Sequence, residues 1–449
     1  MTLNSLGKIV LQLAAAAILL MPRPAAASSM TLGDAIEKAL ANNPSLRLSS
    51  VSLQSAETEV SRAEAGFHPT VSADLGMTEG FARSGEEQNY QSASAGVSAR
   101  YNLYDGGSDR ASLQAARKDS SAAGMDYQLE RETLFLNVTN AYLDVLGNSE
   151  IVTVREEELA AARSQLDRIE ALYKAGSRPV TDLYQQQASV KEAELALISS
   201  QRDLTVSRLD LQVSLGLEDD PGLTIFDPVL QGSTGIEVST DLEEQVRTAL
   251  AKRSDVAALK ARLEAAQARI SQARTGDSVS LDLTGGVSTG YSSLAEDGFW
   301  DQMKDNNMSA SVGLTLSIPL YDAGQTGHAV RQAELDLTSQ QLALSRLKLQ
   351  VRQELGQALE DYRTAVKTLD VSTARLQWAE KALESVRARY EAGAASLVEL
   401  NDARSEAVQA RSDVVNARYD SLGRSLTTAY YQGRIEPAIR KILSGGSTS

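Results

Sequence analysis

Strict alternation of apolar and polar residues predicts two long β-strands in this chain. From Met308 to Leu320 every second residue is apolar, and the residues between them are Ser, Gly, Thr or Pro. From Gln91 to Leu103 the same alternation separates Ala, Val, Tyr and Leu from small polar residues and Arg100. A period of two indicates a sheet with one apolar and one polar face. Shorter alternations complete a set of four predicted strands: 69–77, 91–104, 278–289 and 308–321.

The length of these strands favours a membrane location over an ordinary half-buried sheet. A strand that runs from Met308 to Leu320 rises roughly 43 Å, or about 30 Å when it is tilted by ~45°. That span matches the hydrocarbon core of a bilayer, whereas strands of soluble sheets usually have about 5–6 residues. An open sheet edge cannot face lipid, so the strands must close into a barrel. Four strands are too few, and we therefore predict a trimer whose barrel has twelve strands, three chains times four.

Heptad spacing predicts long coiled-coil helices after the strands. The segments 106–173 and 322–390 contain no proline. In the second segment, steps of three and four residues define the seam of a left-handed coiled coil. Its members are Leu355, Ala358, Tyr362, Ala365, Leu369, Ser372, Leu376, Ala379, Leu383, Val386 and Tyr390. Each helix of about 70 residues would extend roughly 100 Å. The chain then turns at Gly176 or Gly393 and returns through a helix of about 35 residues.

The two halves of the chain repeat one plan. Segment 102–107 (NLYDGG) resembles 319–324 (PLYDAG), and segment 173–176 (YKAG) resembles 390–393 (YEAG), both at an offset of 217 residues. Several pairs at one offset indicate an internal repeat. Each half is predicted to begin with one helix, 31–65 or 241–275, capped by Thr31 or Asp241 and stopped at Gly66 or Gly276. The predicted units are a signal peptide at 1–27, a first repeat at 28–216 with its turn near 176, a linker at 217–240, a second repeat at 241–433 with its turn near 393, and a C-terminal tail at 434–449.

These patterns together predict a mixed α and β membrane protein. The shared β-barrel would be continued on one side by a barrel of long coiled-coil helices, and each chain would contribute two structural repeats to it. The loops that join the paired strands, at 78–90 and 291–307, are rich in polar residues. They lie at the ends of the strands away from the helices and are predicted to face the cell exterior.

The first residues predict export from the cytoplasm. Lys8 precedes a mostly apolar run that ends at Met21, and Ala25-Ala26-Ala27 gives a small-residue cleavage pattern. A membrane anchor is the alternative, but the run is short and two prolines follow it. The net charge of −15 becomes −17 when the segment that carries Lys8 and Arg23 is removed. That charge argues against nucleic acid as a partner.

The sequence gives little support for a catalytic site. The chain has 449 residues with no cysteine and two histidines, His68 and His328. Neither histidine has a partner at metal-ligand spacing, and no phosphate-binding loop or serine-hydrolase elbow is present. We therefore predict no enzyme activity and no cofactor. A periplasmic or surface coiled-coil scaffold without transport activity is an alternative that explains the heptads but not the long amphipathic strands.

This plan resembles the TolC-like outer-membrane efflux protein family over nearly the whole mature chain. The residues that carry the resemblance are Asn42-Asn43-Pro44, the two strand-to-helix junctions 103–107 and 320–324, and the two Tyr-x-Ala-Gly turns. The resemblance implies a homotrimer with a barrel in outer-membrane lipid and a helical tunnel in the periplasm. It further implies that a periplasmic adaptor and an inner-membrane transporter open a periplasmic end that is closed at rest. Members of the family serve drug efflux, metal efflux or type I protein secretion, and the sequence does not specify which cargo this chain serves.

The resemblance also implies roles for residues near the turns. Glu399 and Asp402 match positions that form acidic rings at the periplasmic entrance, where carboxylates favour cations; the alternative is an ordinary solvated helix face. Asp182 and Tyr390 match positions of the polar links that keep the entrance shut. An arginine often found two residues after the second turn glycine is absent, because Ala395 occupies that position, and Arg178 is the candidate substitute. The turn residues expected to contact the adaptor are Gly176, Ser177, Gly393 and Ala394.

Overall fold

The computed structural model describes residues 30–84, 86–218, 225 and 241–444. The predicted signal peptide and nearly all of the predicted linker lie outside these residues. The helices are α1 Leu32–Asn42, α2 Pro44–Ala65, α3 Ser108–Lys174, α4 Val180–Leu215, α5 Leu242–Lys252, α6 Ser254–Ala273, the short α7 Phe299–Asp301, α8 Gln325–Glu391, α9 Leu397–Tyr431 and α10 Ile435–Ser444. A π-helix covers Gln302–Asn306, and the strands are β1 Thr70–Ser84, β2 Glu86–Tyr104, β3 Ser280–Ser292 and β4 Ser309–Ser317. Among the described helices none is both long and apolar enough to cross a membrane.

The four strands form one antiparallel sheet in the order β1-β2-β3-β4. Val71 pairs with Ala99, so apolar residues of neighbouring strands share one face. Ser72 and Ser98 meet on the other face, where their hydroxyl oxygens are 2.9 Å apart. The apolar face is uncovered within the described chain, since Leu75 on β1 is 87% exposed. The alternation that predicted the strands therefore describes the two faces correctly.

The predicted limits of β1, β2 and β4 are wrong. The pattern predicts a loop over 78–90, but the stretch is strand on both sides of residue 85, because Thr78 pairs with Ser92 and the ladder continues to the end of β1. Conversely, β4 ends at Ser317 rather than at residue 321, since Pro319 has no N–H group for a ladder hydrogen bond.

The expected loop 291–307 is partly ordered around one buried amide. The Gln302 side chain is 1% exposed and donates from Nε2 to the carbonyl oxygens of Ser292 at 3.1 Å and Asp297 at 2.6 Å. Its Oε1 accepts a hydrogen bond of 2.9 Å from the Ser292 N–H group. Phe299 packs edge-on against Tyr291, with ring centroids 5.0 Å apart. This segment is therefore a compact cap on the end of β3.

Each predicted first helix is in fact two helices. Asn43 is extended because the proline that follows it disfavours the helical region, and its Oδ1 then accepts from the N–H groups of Ser45 and Leu46 at the start of α2. Arg253 makes the equivalent break between α5 and α6 without a proline.

The predicted helix limits are confirmed at three of four points. The Thr31 and Asp241 side chains cap α1 and α5, and Gly66 directly follows α2. The last limit differs, because α6 ends at Ala273, before Gly276.

The long helices form two antiparallel pairs, α3 with α4 and α8 with α9, and α6 packs against both α3 and α8. The heptad prediction on α8 is confirmed from Val366 to Tyr390, where the residues that are buried or half-buried are those of the predicted seam. Nearer the start of the predicted seam, Leu359 is also buried although it is not a seam residue.

The largest apolar core lies midway along the long helices. It surrounds Tyr142, which is fully buried on α3 and donates from its hydroxyl to the Met30 carbonyl at 2.7 Å. Most of the predicted C-terminal tail also belongs to this core, because it forms the helix α10, whose Ile435 and Ile439 are buried. Residues 435–444 are therefore part of the folded unit, since their apolar residues recur at helical spacing and pack inwards.

The two Tyr-Asp-x-Gly junctions share one capping geometry. Asp105 accepts from the N–H groups of Gly107 at 2.8 Å and Asp109 at 2.5 Å. Asp322 accepts from those of Gly324 and Thr326, both at 2.8 Å. Each carboxylate thus satisfies early N–H groups of a long helix as the chain leaves the sheet.

The Asp322 cap generates a prediction about pH. Its hydrogen bonds to Thr326 and Gly324 lower the pKa of the Asp322 carboxyl to about 2. A depressed pKa contributes stability that is present above the ordinary value of 3.8 and is lost as the pH falls towards 2. We expect Asp322→Ala to lower the melting temperature at neutral pH and to have a much smaller effect near pH 2.

Circular dichroism at both pH values measures this difference. Asp370→Ala, which removes an exposed carboxylate within the same helix, is the control. An equal, pH-independent loss in both variants would contradict the cap.

Candidate functional site

The ends of the two helix pairs meet in a small apolar cluster. Ile169 on α3, Tyr390 on α8, and Leu397 and Leu400 on α9 are all buried there. Leu183 on α4 packs against the same cluster. All four long helices therefore contribute to one contact next to the turns.

Both turns have the same backbone form. Gly176 and Gly393 have φ of +71° and +73°. The N–H groups of the residues that follow them, Ser177 and Ala394, donate back into the last turn of the preceding helix at 2.8 and 2.7 Å. This closure is typical of a helix that ends at a left-handed glycine. All four residues are exposed, and their contact with an adaptor stays a prediction.

The structure brings the three predicted gating residues together. The Arg178 guanidinium lies over the Tyr390 ring, 4.8 Å from its centroid, and its Nη1 is 3.4 Å from an Asp182 carboxylate oxygen. Arg178 and Asp182 belong to the segment of the first helix pair, whereas Tyr390 belongs to the second. Ala395 packs against the same apolar cluster. Within one chain, the cation beside Tyr390 is therefore that of Arg178, since residue 395 is an alanine.

The two predicted ring carboxylates stand apart from this trio. Glu399 is exposed, its N–H group donates to the Ser396 hydroxyl at 3.1 Å, and its carboxylate is 3.5 Å from the Arg389 guanidinium. Asp402 is exposed one turn further along α9. Within the described chain, neither carboxylate forms a hydrogen bond or ion pair with a member of the trio. Both side chains are therefore on the free surface, and the ring itself stays a prediction.

The sequence did not predict the polar links between the helix pairs. Gln186 on α4 is fully buried, donates from Nε2 to the Ala162 carbonyl at 3.0 Å and accepts from the Asn401 amide of α9 at 3.4 Å. Arg168 of α3 also reaches Glu391 of α8 at 3.4 Å. The link of Gln186 to Asn401 could have been predicted from the position of Gln186 on the buried face of α4. A polar residue at a seam position often sets the register of a coiled coil.

The Arg178 contact yields a prediction about the helix ends. We expect Arg178→Ala to loosen the last turn of α8 and the first turn of α4, because it removes the cation between the Tyr390 ring and the Asp182 carboxylate. A loss of about 1 kcal/mol would speed amide hydrogen exchange there about five-fold. Exchange measured by mass spectrometry on peptides from both turns gives the answer.

Arg163→Ala is the matched control, because it breaks an exposed ion pair with Glu194 inside the first helix pair. Equal exchange at the turns in the two variants would show that Arg178 has no special role there.

Comparisons with known proteins point to one family. The family model described as "Outer membrane efflux protein" matches residues 35–217 and 246–427, which is most of the chain. The outer membrane protein TolC of Escherichia coli is 25% identical over 399 residues, which cover 86% of this chain and 78% of that protein. The outer membrane efflux protein BepC of Brucella suis is 24% identical, with 94% of this chain and 90% of that protein covered.

A solved structure supports the fold. The Campylobacter jejuni CmeC outer membrane channel superposes with a TM-score of 0.77 at 18% sequence identity, covering 92% of this chain and 89% of that one. At this identity the likeness establishes the architecture, a four-stranded sheet joined to long paired helices.

Proposed function

We propose that this chain, which belongs to the outer membrane efflux protein family, acts as a homotrimer whose three sheets close into one barrel of twelve strands. As a member of that family it is an exit duct of the outer membrane, and the scaffold alternative is not favoured. The observation that carries the trimer is the sheet. Among the described residues, none covers its apolar face, and the edge strands β1 and β4 each have one unpaired side. Neither edge could remain open in lipid.

The rows of paired residues support a polar lumen within the proposed barrel. On the face opposite the apolar one, Ser72, Ser98, Gly286 and Ser311 lie side by side across all four strands. Small residues of this kind leave room for cargo, while the apolar face would contact lipid. Trp300, which is 69% exposed beside the outer end of β3, fits the aromatic belt of a membrane interface.

The recurrence of one element order supports two structural repeats per chain. Two helices, two strands and a long helix pair occur in residues 32–215 and again in 242–431, where a short helix and a π-helix are added between the strands. Three chains would then supply six helix pairs to a tunnel that continues the barrel into the periplasm. The exposed turns at Gly176 and Gly393 would meet a periplasmic adaptor, which connects the duct to an inner-membrane transporter.

Cross-linking between edge strands tests the trimer. We combine Leu75→Cys on β1 with one cysteine on β4, placed in turn at Val312, Leu314 or Leu316 to sample the register between chains. We expect one of these pairs to give covalent trimers with a short bis-maleimide in mild detergent, because β4 of one protomer would pair with β1 of the next. The native chain has no cysteine, so the introduced thiols are the only reactive ones.

The control variant Leu75→Cys with Ala95→Cys places two directly paired residues on β1 and β2 and should cross-link within one chain. A monomeric mass by light scattering, together with no product between chains in the whole series, would refute the trimer.

We further propose that Glu399 and Asp402 form the narrow acidic entrance of this duct and that the Arg178–Tyr390 contact helps to keep it closed. Both carboxylates are exposed near the turns, and three copies of each around one axis would attract cations. The trio of Arg178, Asp182 and Tyr390 joins the two helix pairs, so its separation would accompany opening.

Single-channel conductance tests the entrance. We expect Glu399→Ala with Asp402→Ala to weaken cation preference and to abolish block by divalent or trivalent cations added on the periplasmic side. The trimer should survive, because both side chains are exposed.

The control variant Glu406→Ala with Asp413→Ala removes two carboxylates of the same helix that pair with Arg375, further from the turns. It should keep both the block and the selectivity. Unchanged block and selectivity in the Glu399 and Asp402 variant would leave these residues as ordinary solvated charges.

A further inference from the structure

A groove of about 630 Å³ separates the two helix pairs near the chain reversals. Residues of α3, α8 and α9 line it, among them Gln165, Tyr390 and Arg404. Glu399 and Asp402 are not part of its lining. Because its walls come from both helix pairs, a ligand bound in it would contact both.

Two buried polar groups of this groove have no hydrogen-bond partner among the residues that the structure describes. Gln165 is 8% exposed, and its amide nitrogen Nε2 is unpartnered although it can only donate. Tyr390 is 4% exposed, and its hydroxyl is also unpartnered. Buried groups of this kind are normally satisfied, because leaving one unpaired destabilises the fold. Both therefore suit a ligand that accepts hydrogen bonds.

The third group is a guanidinium without a carboxylate. Arg404 of α9 donates from Nη1 to the Ala161 carbonyl at 3.5 Å and forms no ion pair within the described chain. Burial and then the like charge of Arg387 lower the pKa of Arg404, while the charge of Glu158 acts in the opposite direction. A partly buried cation beside a second cation is poorly compensated, and an anion would compensate it.

Most carboxylates of the groove are already engaged. Glu391 pairs with Arg168 at 3.4 Å. Arg411 lies 2.9 Å from Glu380 and 3.8 Å from Glu157. A further pair joins Glu158 to Arg155 at 2.9 Å. These contacts engage four of the five glutamates that line the groove, all but Glu384, and within the described chain none of the five forms an ion pair with Arg404.

We propose that this groove binds a small oxyanion, of the phosphate, sulfate or carboxylate class, between Arg404, Gln165 and Tyr390. A planar guanidinium matches two oxygens of an oxyanion, and the amide N–H and phenol O–H groups each donate to an oxygen. All three groups can donate, which favours an anion over a cation as the ligand. The volume of the groove also exceeds what a halide ion requires.

The bound oxyanion acts as a clamp between the helix pairs. Gln165 lies on α3, whereas Tyr390 and Arg404 lie on α8 and α9, so one ion joins both pairs by charge-assisted hydrogen bonds. A ligand that binds the joined arrangement more tightly than the separated one stabilises it. This consequence for opening rests on the proposed function, while the binding itself does not.

Titration of the full chain in mild detergent tests the binding. We expect inorganic sulfate and inorganic phosphate, at constant ionic strength, to raise the melting temperature until the effect saturates. Arg404→Gln should weaken the apparent affinity about tenfold or more, the factor for losing one charge-assisted hydrogen bond. Arg424→Gln is the matched control on the same helix, because Arg424 has carboxylate partners of its own in Asp420 and Asp361, and it should keep the response.

A second variant, Gln165→Leu, tests the same site if Arg404→Gln does not fold. It removes an unsatisfied buried donor, so we expect a higher melting temperature without oxyanion and a weaker response to it. A response that does not saturate, that is equal in wild type and the groove variants, or that sodium or magnesium chloride reproduces at the same ionic strength would overturn the site.

Channel recordings test the proposed effect on closure independently of the binding. We expect sulfate on the periplasmic side to prolong closure in wild type and to have little effect in Gln165→Leu. If binding saturates and closure is unchanged, the clamp is wrong and the site stands. A wrong assignment of the trimer would be detected by a different experiment, because the cross-link between edge strands of neighbouring chains would then be absent.

Discussion

The unpaired sides of the two edge strands are the constraint on which the remaining architecture depends. One chain pairs β1, β2, β3 and β4 in sequence order, so β1 and β4 each keep a row of backbone N–H and C=O groups without partners in the sheet. The apolar face is likewise uncovered by the helices that the structure describes. In lipid each unsatisfied backbone group costs several kcal/mol, so a sheet of this kind needs further strands at both edges. Copies of the same chain offer matching edges, since each copy carries both β1 and β4.

The junctions between strand and helix transmit the geometry of the sheet to the helices. Asp105 and Asp322 occupy equivalent places, and each binds N–H groups at the start of a long helix. The backbone turns sharply there, because Gly107 and Gly324 take left-handed conformations and Ala323 has a φ of +54°. A residue with a side chain is strained in that region, and the surrounding hydrogen bonds offset the strain. The direction of each long helix is therefore set where the chain leaves the sheet.

Local patterns predicted the parts of the fold that local physics controls. The period of two identified the strand faces, and the predicted seam on α8 matches the buried and half-buried positions from Val366 to Tyr390. The break at Asn43 has a local cause in the following proline, whereas Arg253 breaks its helix while it pairs with Asp255 and Glu354, a contact that no local pattern reports. The same limit applies to the candidate site. Arg178 and Tyr390 could be named separately, but their stacking depends on how two distant helix pairs pack, and the unpaired donor of Gln165 is visible only once every partner has been placed.

The distribution of apolar contacts along the helices indicates which part can move. Around Tyr142 the core joins α1, α3, α4, α9 and α10 through many large apolar side chains. Near the turns the apolar cluster is small, and polar contacts such as that of Gln186 with Asn401 join the pairs. Polar groups that separate can hydrogen-bond to water at small net cost, whereas opening the core at Tyr142 would expose a large apolar area. Separation of the two helix pairs would therefore cost least at the ends of the helices, where a change in a few polar partners would bias it without disturbing the junction with the sheet.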